Sequence, residues 1–249
     1  MLQYPMKKQL QEILGHIRRA DNDFDFITDG DKIAVGLSGG KDSNLLLYAL
    51  AQYQKFGHKR FDLIAITVDG TGGNTDFSGL QKYCDDLSVK LIIEPSEIFK
   101  IVFDIRREKN PCSLCSNLRR GILHSSAKRN GANKVALGHH SDDMIETFLM
   151  SMIHEGRINT FEPKTYLDRI DITIIRPMIY VPEHEIISIT ANPIFKRNVI
   201  KNPCPVNHHT QREYMKDLVK KLTKDHTMAR DKMARAISKW LKSRDVVQP

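Results

Sequence analysis

Three stretches of the chain gather residue types that do chemistry. In Gly36-Leu-Ser-Gly-Gly-Lys-Asp-Ser43, adjacent glycines let the backbone approach an anion, Ser38 and Ser43 add hydroxyls, and Lys41 adds a point charge. The stretch lies between an apolar run and a helical pattern, so its amides meet a helix N-terminus, where the dipole favours phosphate. A carboxylate at Asp42 makes sense beside phosphate when it holds Mg²⁺. The spacing is neither that of G-x-x-x-x-G-K-S/T nor that of G-x-G-x-x-G.

The second stretch is Gly138-His-His-Ser-Asp-Asp143. Asp142 and Asp143 at a helix start either cap it or, facing a triphosphate, hold Mg²⁺ or activate an acceptor. His139 and His140 read either as polar packing or as part of a nucleotide pocket. The third stretch, Pro111-Cys-Ser-Leu-Cys115, puts Cys112 and Cys115 one helical turn apart on one side of a helix N-terminus. The dipole and nearby Arg119 and Arg120 favour negative charge there. Cys204 stands between two prolines, a rigid point of presentation. Three thiolates are one short of a closed zinc site, which His208 or His209 could complete. They could also hold three corners of a 4Fe-4S cluster, or divide into a redox pair and a persulfide carrier. Cys84, in Leu80-Gln-Lys-Tyr-Cys-Asp-Asp-Leu87, reads as buried packing.

Apolar periodicity gives the elements that must position these stretches. Leu10, Ile13, Leu14 and Ile17 mark one face of a helix over 1–20. Runs at 32–37, 62–68, 89–93, 134–137 and 170–175 read as strands, with helices over 44–51, 78–87 and 113–129 and another opening after Gly138. The alternation predicts an α/β fold: a doubly wound, mostly parallel sheet with ligands at the carboxyl ends of its strands. Two further helices are expected, over 211–223 with an apolar face at Tyr214, Leu218 and Leu222, and over 228–242 with one at Met233, Ile237 and Trp240. The expected organisation is an N-terminal helical segment (1–30), a nucleotide-binding domain (31–195) and a basic C-terminal helical extension (196–249) carrying Cys204.

With 249 residues, 41% hydrophobic and 27% charged, the chain is neither disordered nor fibrous and is long enough to build a core without disulfides. No run approaches the roughly 18 apolar residues of a membrane span, and the start is too polar for a signal peptide; a cytoplasmic protein with no membrane partner is expected. The net charge of +8 is unevenly placed: residues 100–134 carry nine Lys/Arg against two acids, and 196–245 fourteen against five. Three of the four cysteines lie in these basic segments, which points to a polyanionic partner, nucleic acid, at the same place.

The six-residue loop resembles the S-G-G-x-D-S loop of the ATP pyrophosphatases (PP-loop proteins of the adenine nucleotide alpha hydrolase-like fold), and Gly138-His-His-Ser-Asp-Asp143 resembles the G-H-x-x-D-D element of their tRNA-modifying members. Together with Pro111-Cys-Ser-Leu-Cys-Ser-Asn-Leu-Arg-Arg-Gly-Ile-Leu123 and Ile175-Arg-Pro-Met178, these motifs resemble, in the same order, the tRNA 2-thiocytidine biosynthesis family. That resemblance implies ATP, Mg²⁺ and a 4Fe-4S cluster as cofactors, and tRNA as partner with cytidine 32 as target. It implies a nucleotide site at Gly36, Ser38, Gly39, Gly40, Lys41, Asp42, Ser43, Val68, Gly138 and His139, and cluster ligands at Cys112, Cys115 and Cys204. Asp42, Arg119, Asp142 and Asp143 are the expected catalytic residues, Arg119 by analogy with the 2-thiouridine branch. A cysteine desulfurase or other sulfur donor is implied, and a homodimer is compatible. The chain departs from the family in Val68-Asp-Gly-Thr-Gly-Gly-Asn74, in the lone third cysteine, and in lacking the zinc-ribbon cysteines of the 2-thiouridine branch. Competing readings are 2-thiouridine synthesis, a lysidine-type amidating enzyme, which has no use for the three cysteines, and a zinc-stabilised RNA-binding module.

Overall fold

The computed structural model describes residues 4–196, 200, 204 and 211–245. Apolar residues fill consecutive positions in the central strands, and consecutive side chains point to opposite faces, so both faces of the sheet must be covered. The strands are β1 (Asp31–Gly36), β2 (Phe61–Asp69), β3 (Lys90–Pro95), β4 (Lys134–Ala136), β5 (Lys164–Leu167) and β6 (Ile172–Ile175), in the order β3-β2-β1-β4-β6-β5. All neighbours are parallel except the edge pair β5–β6.

On one face Ile33, Val35, Leu63, Ala65, Ala136 and Ile175 join the apolar sides of α1 (Tyr4–Phe24), α2 (Lys41–Phe56), α3 (Ser78–Asp86) and α6 (Glu183–Thr190). On the other, Ala34, Ile64, Ile66, Val135 and Ile174 meet Leu123 and Ala127 of α4 (Pro111–Arg129). Ile13 and Ile17 of α1 are fully buried, each stabilising by about 1.5–3 kcal/mol. Cys84 packs in the first core, and burial pushes its thiol up to about 12, as expected of a packing cysteine.

The last expected strand differs. Residues 168–171 form a turn with Asp171 at φ +50°, closed by the Tyr166 hydroxyl donating to Asp171 Oδ1 at 2.9 Å. The strand therefore starts at Ile172, paired antiparallel with β5, which sequence reading missed. Helices α5 (Ser141–Met150), α7 (Pro193–Lys196), α8 (Gln211–Asp225) and α9 (Ala229–Asp245), with π-helical segments at Lys100–Ile105 and Ser151–Glu155, complete the elements among the described residues. The expected apolar face of α8 is also corrected: Met215 and Val219 are buried, whereas Tyr214 and Leu222 are exposed. Arg212 and Lys216, one turn apart, pair with Asp143 of α5 and Glu183 of α6, and they set the roll of the helix. Helix α9 buries Ile237 and Leu241, and Trp240 meets Phe148 of α5 edge-on at 5.9 Å.

Beneath the amino ends of the strands lies a buried ion pair. Lys134 Nζ is 2.6 Å from Asp31 Oδ2 and donates to Phe26 O (2.8 Å) and Thr28 Oγ1 (3.1 Å). Burial alone would raise the Asp31 pKa; the Lys134 hydrogen bond and the Thr28 amide more than reverse this, holding it below the usual carboxylate value. No helix among the described residues is long and apolar enough to cross a membrane.

Candidate active site

The loop between β1 and α2 is shaped as an anion cradle. Gly40 caps α2 without any side-chain hydrogen bond to the helix N-terminus, leaving amides and dipole available to a ligand. The Ser38 and Ser43 hydroxyls lie 3.1 Å apart, and Ser43 Oγ donates to Gly40 O at 3.1 Å. Gly39 adopts φ +77°, and a Cβ built there would lie 2.8 Å from the Ile200 side chain, whose backbone N–H donates to Gly39 O at 3.0 Å. Gly39→Ala is expected to weaken ATP binding about tenfold, since a left-handed Ala costs about 1–2 kcal/mol and Ile200 must also shift. Isothermal titration with a non-hydrolysable ATP analogue checks this. At the end of β4, Gly138 lies against the same loop: a Cβ there would be 3.2 Å from Asp42 C and Ser43 N.

A chain of charges surrounds this cradle. Lys41 Nζ lies 2.7 Å from Asp42 Oδ1 and 3.3 Å from Glu183 Oε1 of α6, and Lys216 of α8 approaches the same Glu183 oxygen at 2.6 Å. Burial opposes the charge on Lys41, but Asp42 and Glu183 raise its pKa above the ordinary lysine value. Burial likewise opposes ionisation of Glu183, but Lys216 and Lys41 hold it at about 2. His140 caps α5 reciprocally: its Nδ1 accepts from Asp143 N at 3.4 Å, and its own amide donates to Asp143 Oδ2 at 3.0 Å. Its Nε2 faces Asp143 at 3.4 Å and Asp42 at 3.9 Å. Arg212 of α8 reaches Asp143 Oδ1 at 3.3 Å.

Asp142 is placed apart from this network. It is 2% exposed; Oδ2 accepts from Glu183 N at 2.7 Å, and Oδ1 meets Arg230 of α9 at 2.9 Å. Its carboxylate ties α5 to α6 and α9, so only Asp143 of the adjacent pair shares His140 Nε2 with Asp42. Neither Glu183 nor Glu146 is assigned a role by the sequence: Glu183 follows Pro182 outside any motif, and Glu146 enters only as part of the Gly-His-x-x-Asp-Asp-x-x-Glu-Thr pattern shared with lysidine-type enzymes. Glu146 is nonetheless buried, and burial, then the charge of Asp143, pushes it up to about 7. The folded state keeps the Glu146 proton as the unfolded chain loses it, so stability falls as pH rises from about 4.5 to about 7. Glu146→Gln is expected to match the wild type near pH 4.5 and to exceed it by the order of 2 kcal/mol at pH 8, read from urea denaturation at both pH values.

Arg119 of α4 stands at the end of β2. Its guanidinium donates to Val68 O at 3.4 Å, lies 5.5 Å from the Phe99 ring centre, and sits 3.0 Å from where a Gly70 Cβ would be. Burial opposes ionisation of Asp69, but Thr71, Gly73 and Arg119 hold its pKa below the usual value, and Asp69 shapes the departing loop through bonds to Thr71 and Gly73. A cavity of about 530 Å³ opens beside it, lined by Gly70, Thr71, Asn74, Phe99, Lys100 and Phe103.

Cys112 is exposed and Cys115 half-buried in the first turn of α4, which carries no acid. Arg119 follows Cys115 by one turn. Cys204 is half-buried, while His208 and His209 lie outside the described residues. Among the described residues no three His, Cys, Asp or Glu side chains are gathered as metal ligands, so the cysteines are not brought together. As a donor set they suit an iron–sulfur cluster: three thiols, none in a disulfide, two of them at an acid-free helix start. The carboxylates of Asp42 and Asp143 suit Mg²⁺, which takes one or two carboxylates plus phosphate oxygens and water.

The profile of the PP-loop domain matches residues 3–197. A tRNA-cytidine(32) 2-sulfurtransferase of Coxiella burnetii (strain Dugway 5J108-111) is 35% identical over 233 residues, spanning 93% of this chain and 91% of the relative. One from Citrifermentans bemidjiense is 34% identical over 229 residues, spanning 91% and 89%. Among solved structures, the U34-tRNA thiolase NcsA from Methanococcus maripaludis with its 4Fe-4S cluster superposes with a TM-score of 0.74 at 25% identity, covering 95% of this chain and 80% of that one. The sequence matches run past the phosphate-binding core and through the basic C-terminal helices, so more than a common domain is shared: the chain belongs to the tRNA-cytidine(32) 2-sulfurtransferase family of PP-loop proteins.

Proposed function

We propose that the protein is an ATP-dependent tRNA sulfurtransferase that adenylates the C2 oxygen of cytidine 32 and replaces it with sulfur, releasing AMP and pyrophosphate. The observation that carries this reading is the seat of Ile200 on Gly39. Cys204 follows four residues later, so its backbone lies within about 14 Å of that seat.

ATP docks with its pyrophosphate end on the open amides of α2 and on Lys41. Glu183 and Asp42 hold the Lys41 ammonium in place. Asp42 and Asp143 would hold Mg²⁺, which would neutralise phosphate charge. The base oxygen attacks the α-phosphorus and pyrophosphate departs; the oxygen becomes part of an adenylate, a far better leaving group than a carbonyl oxygen. Arg119, beside Val68 O, stabilises charge as AMP leaves. Cys112, Cys115 and Cys204 would hold a 4Fe-4S cluster, whose chemistry when bound would be delivery of sulfide to the activated carbon. Oxygen-for-sulfur exchange consumes one sulfide per turnover, so the protein must be recharged either by free sulfide or by a cysteine desulfurase whose persulfide sulfur is reduced to sulfide with two electrons from thiols.

The test is anoxic reconstitution with iron, sulfide, Mg²⁺, ATP and a tRNA transcript, followed by nucleoside mass spectrometry. Formation of 2-thiocytidine with stoichiometric AMP supports the reading; ATP-dependent modification without sulfur overturns it. The basic segments give a further expectation. Neutralising Arg106 and Arg107, or Lys220 and Lys221, should weaken tRNA binding and flatten its salt dependence by about 0.9 per lost phosphate contact on a log–log plot, leaving ATP affinity unchanged. Filter binding over a salt series measures it.

A further inference from the structure

The adjacent histidines at the end of β4 face opposite environments. His140 turns its Nε2 toward Asp42 and Asp143. His139 is met by a cation instead: Arg176, just after β6, donates through Nε to His139 Nδ1 at 3.2 Å. Arg176 has no freedom to turn away. A second donor of its guanidinium bonds Glu162 O, and its plane lies 5.0 Å from the Phe161 ring centre. The same Phe161 ring stacks at 4.9 Å on His139.

A guanidinium has no acceptor, so the hydrogen between Arg176 and His139 belongs to the arginine. Nδ1 must therefore carry a lone pair, and the single ring proton sits on Nε2. Among the described residues this Nε2 has no hydrogen-bond partner, nor is it among the sealed, orphaned polar atoms. It is an accessible N–H donor, one residue from Gly138, which touches the phosphate loop.

We propose that Arg176 is a positioning residue that locks His139 as a neutral Nε2–H tautomer, making the ring a fixed hydrogen-bond donor to an oxygen of the reacting nucleotide or acceptor base. Protonation of the ring would place a cation against Arg176. The other charges near it are Asp143 and His140 of α5 and Arg212 of α8; Asp143 alone favours the cation. Burial, then Arg176, pushes His139 down to about 4. Burial pulls Arg176 down as well, to about 10, and still leaves it charged at neutral pH. Two neighbouring histidines thus divide the work: one faces carboxylates, the other is held uncharged and donates. The choice of a reacting oxygen as its partner rests on the proposed function; the tautomer does not.

Long-range ¹H–¹⁵N correlation on ¹⁵N-histidine-labelled full-length protein reads the ring state without turnover. His139 is expected to show the Nε2–H pattern and no titration from pH 5.5 to 8, and Arg176→Gln to restore a midpoint between pH 5 and 7. An Nδ1–H pattern or an imidazolium at pH 6 in the wild type would overturn the lock. Adding an α,β-methylene ATP analogue, or the tRNA transcript, distinguishes the two oxygen sources by which one shifts Nε2–H; a shift by neither overturns the donor role. In turnover, His139→Ala should lower kcat about 100-fold, and His139→Gln, whose amide offers a neutral N–H near the Nε2 position, should recover most of it. Equal losses in both variants would also sink the donor role. A locked ring without sulfur insertion would count against the proposed function alone.

Discussion

Cys115→Ser is expected to reduce 2-thiocytidine formation to background while tRNA-dependent pyrophosphate release persists within about tenfold of the wild type. The division follows from where the two chemistries lie. In the proposed mechanism adenylation draws on the β1–α2 loop, Lys41 with Glu183, and the Asp42 and Asp143 carboxylates, which pair among themselves and with His140; none of these pairs involves Cys115 in the first turn of α4. A hydroxyl in place of the half-buried thiol preserves that turn and removes a soft ligand that oxygen cannot replace. Cys112→Ser and Cys204→Ser should behave alike, and all three should lose the broad absorbance near 400 nm of a 4Fe-4S cluster. Nucleoside mass spectrometry and a pyrophosphate assay on one reaction give both readouts. Loss of both activities together would show that the cysteines support the nucleotide site itself. Retention of thiolation in the Cys204 variant would remove that residue from the ligand set.

Lys134→Met is expected to destabilise the fold by about 3–5 kcal/mol, because it strands the Asp31 carboxylate in the interior. Lys134 and Asp31 side chains are 9% and 5% exposed, so water cannot replace the lost ammonium. The same substitution leaves Phe26 O without its Lys134 donor. The double variant Asp31→Asn with Lys134→Met should recover much of the loss, since removing both charges is far less costly than removing one. Urea denaturation of the two variants and the wild type decides this; a double variant as unstable as Lys134→Met would show that packing around the lysine stem, not the unpaired charge, dominates.

The sheet was largely legible in the sequence because its central strands are continuous apolar runs, and such runs leave few other folds open. β5 escaped because Lys164-Thr-Tyr-Leu167 is a short edge strand with Lys164 and Tyr166 exposed, so neither composition nor alternation marks it. The roll of α8 escaped for another reason: Tyr214, Leu218 and Leu222 have helical spacing, but ion pairs from Arg212 and Lys216 decide which side docks. The turn between β1 and α2 was legible, since the left-handed Gly39 and the uncapped α2 start are local properties. The division of labour between Asp142 and Asp143 was not, because it depends on Glu183 N and Arg230, 41 and 88 positions away. Long-range partners of this kind leave no local trace.

The single oxygen of Glu183 that meets both Lys41 and Lys216 also bears on how such enzymes can be recombined. A chimera joining this nucleotide core to the C-terminal helices of another PP-loop protein would inherit α8 without a guarantee of a lysine at that register. Glu183 would then be left with Lys41 alone, and the Lys41 ammonium would be drawn further toward its carboxylate. Grafts of the C-terminal helices should therefore be cut so that residues 183 and 216 travel together, making that pair the minimum unit of exchange between relatives.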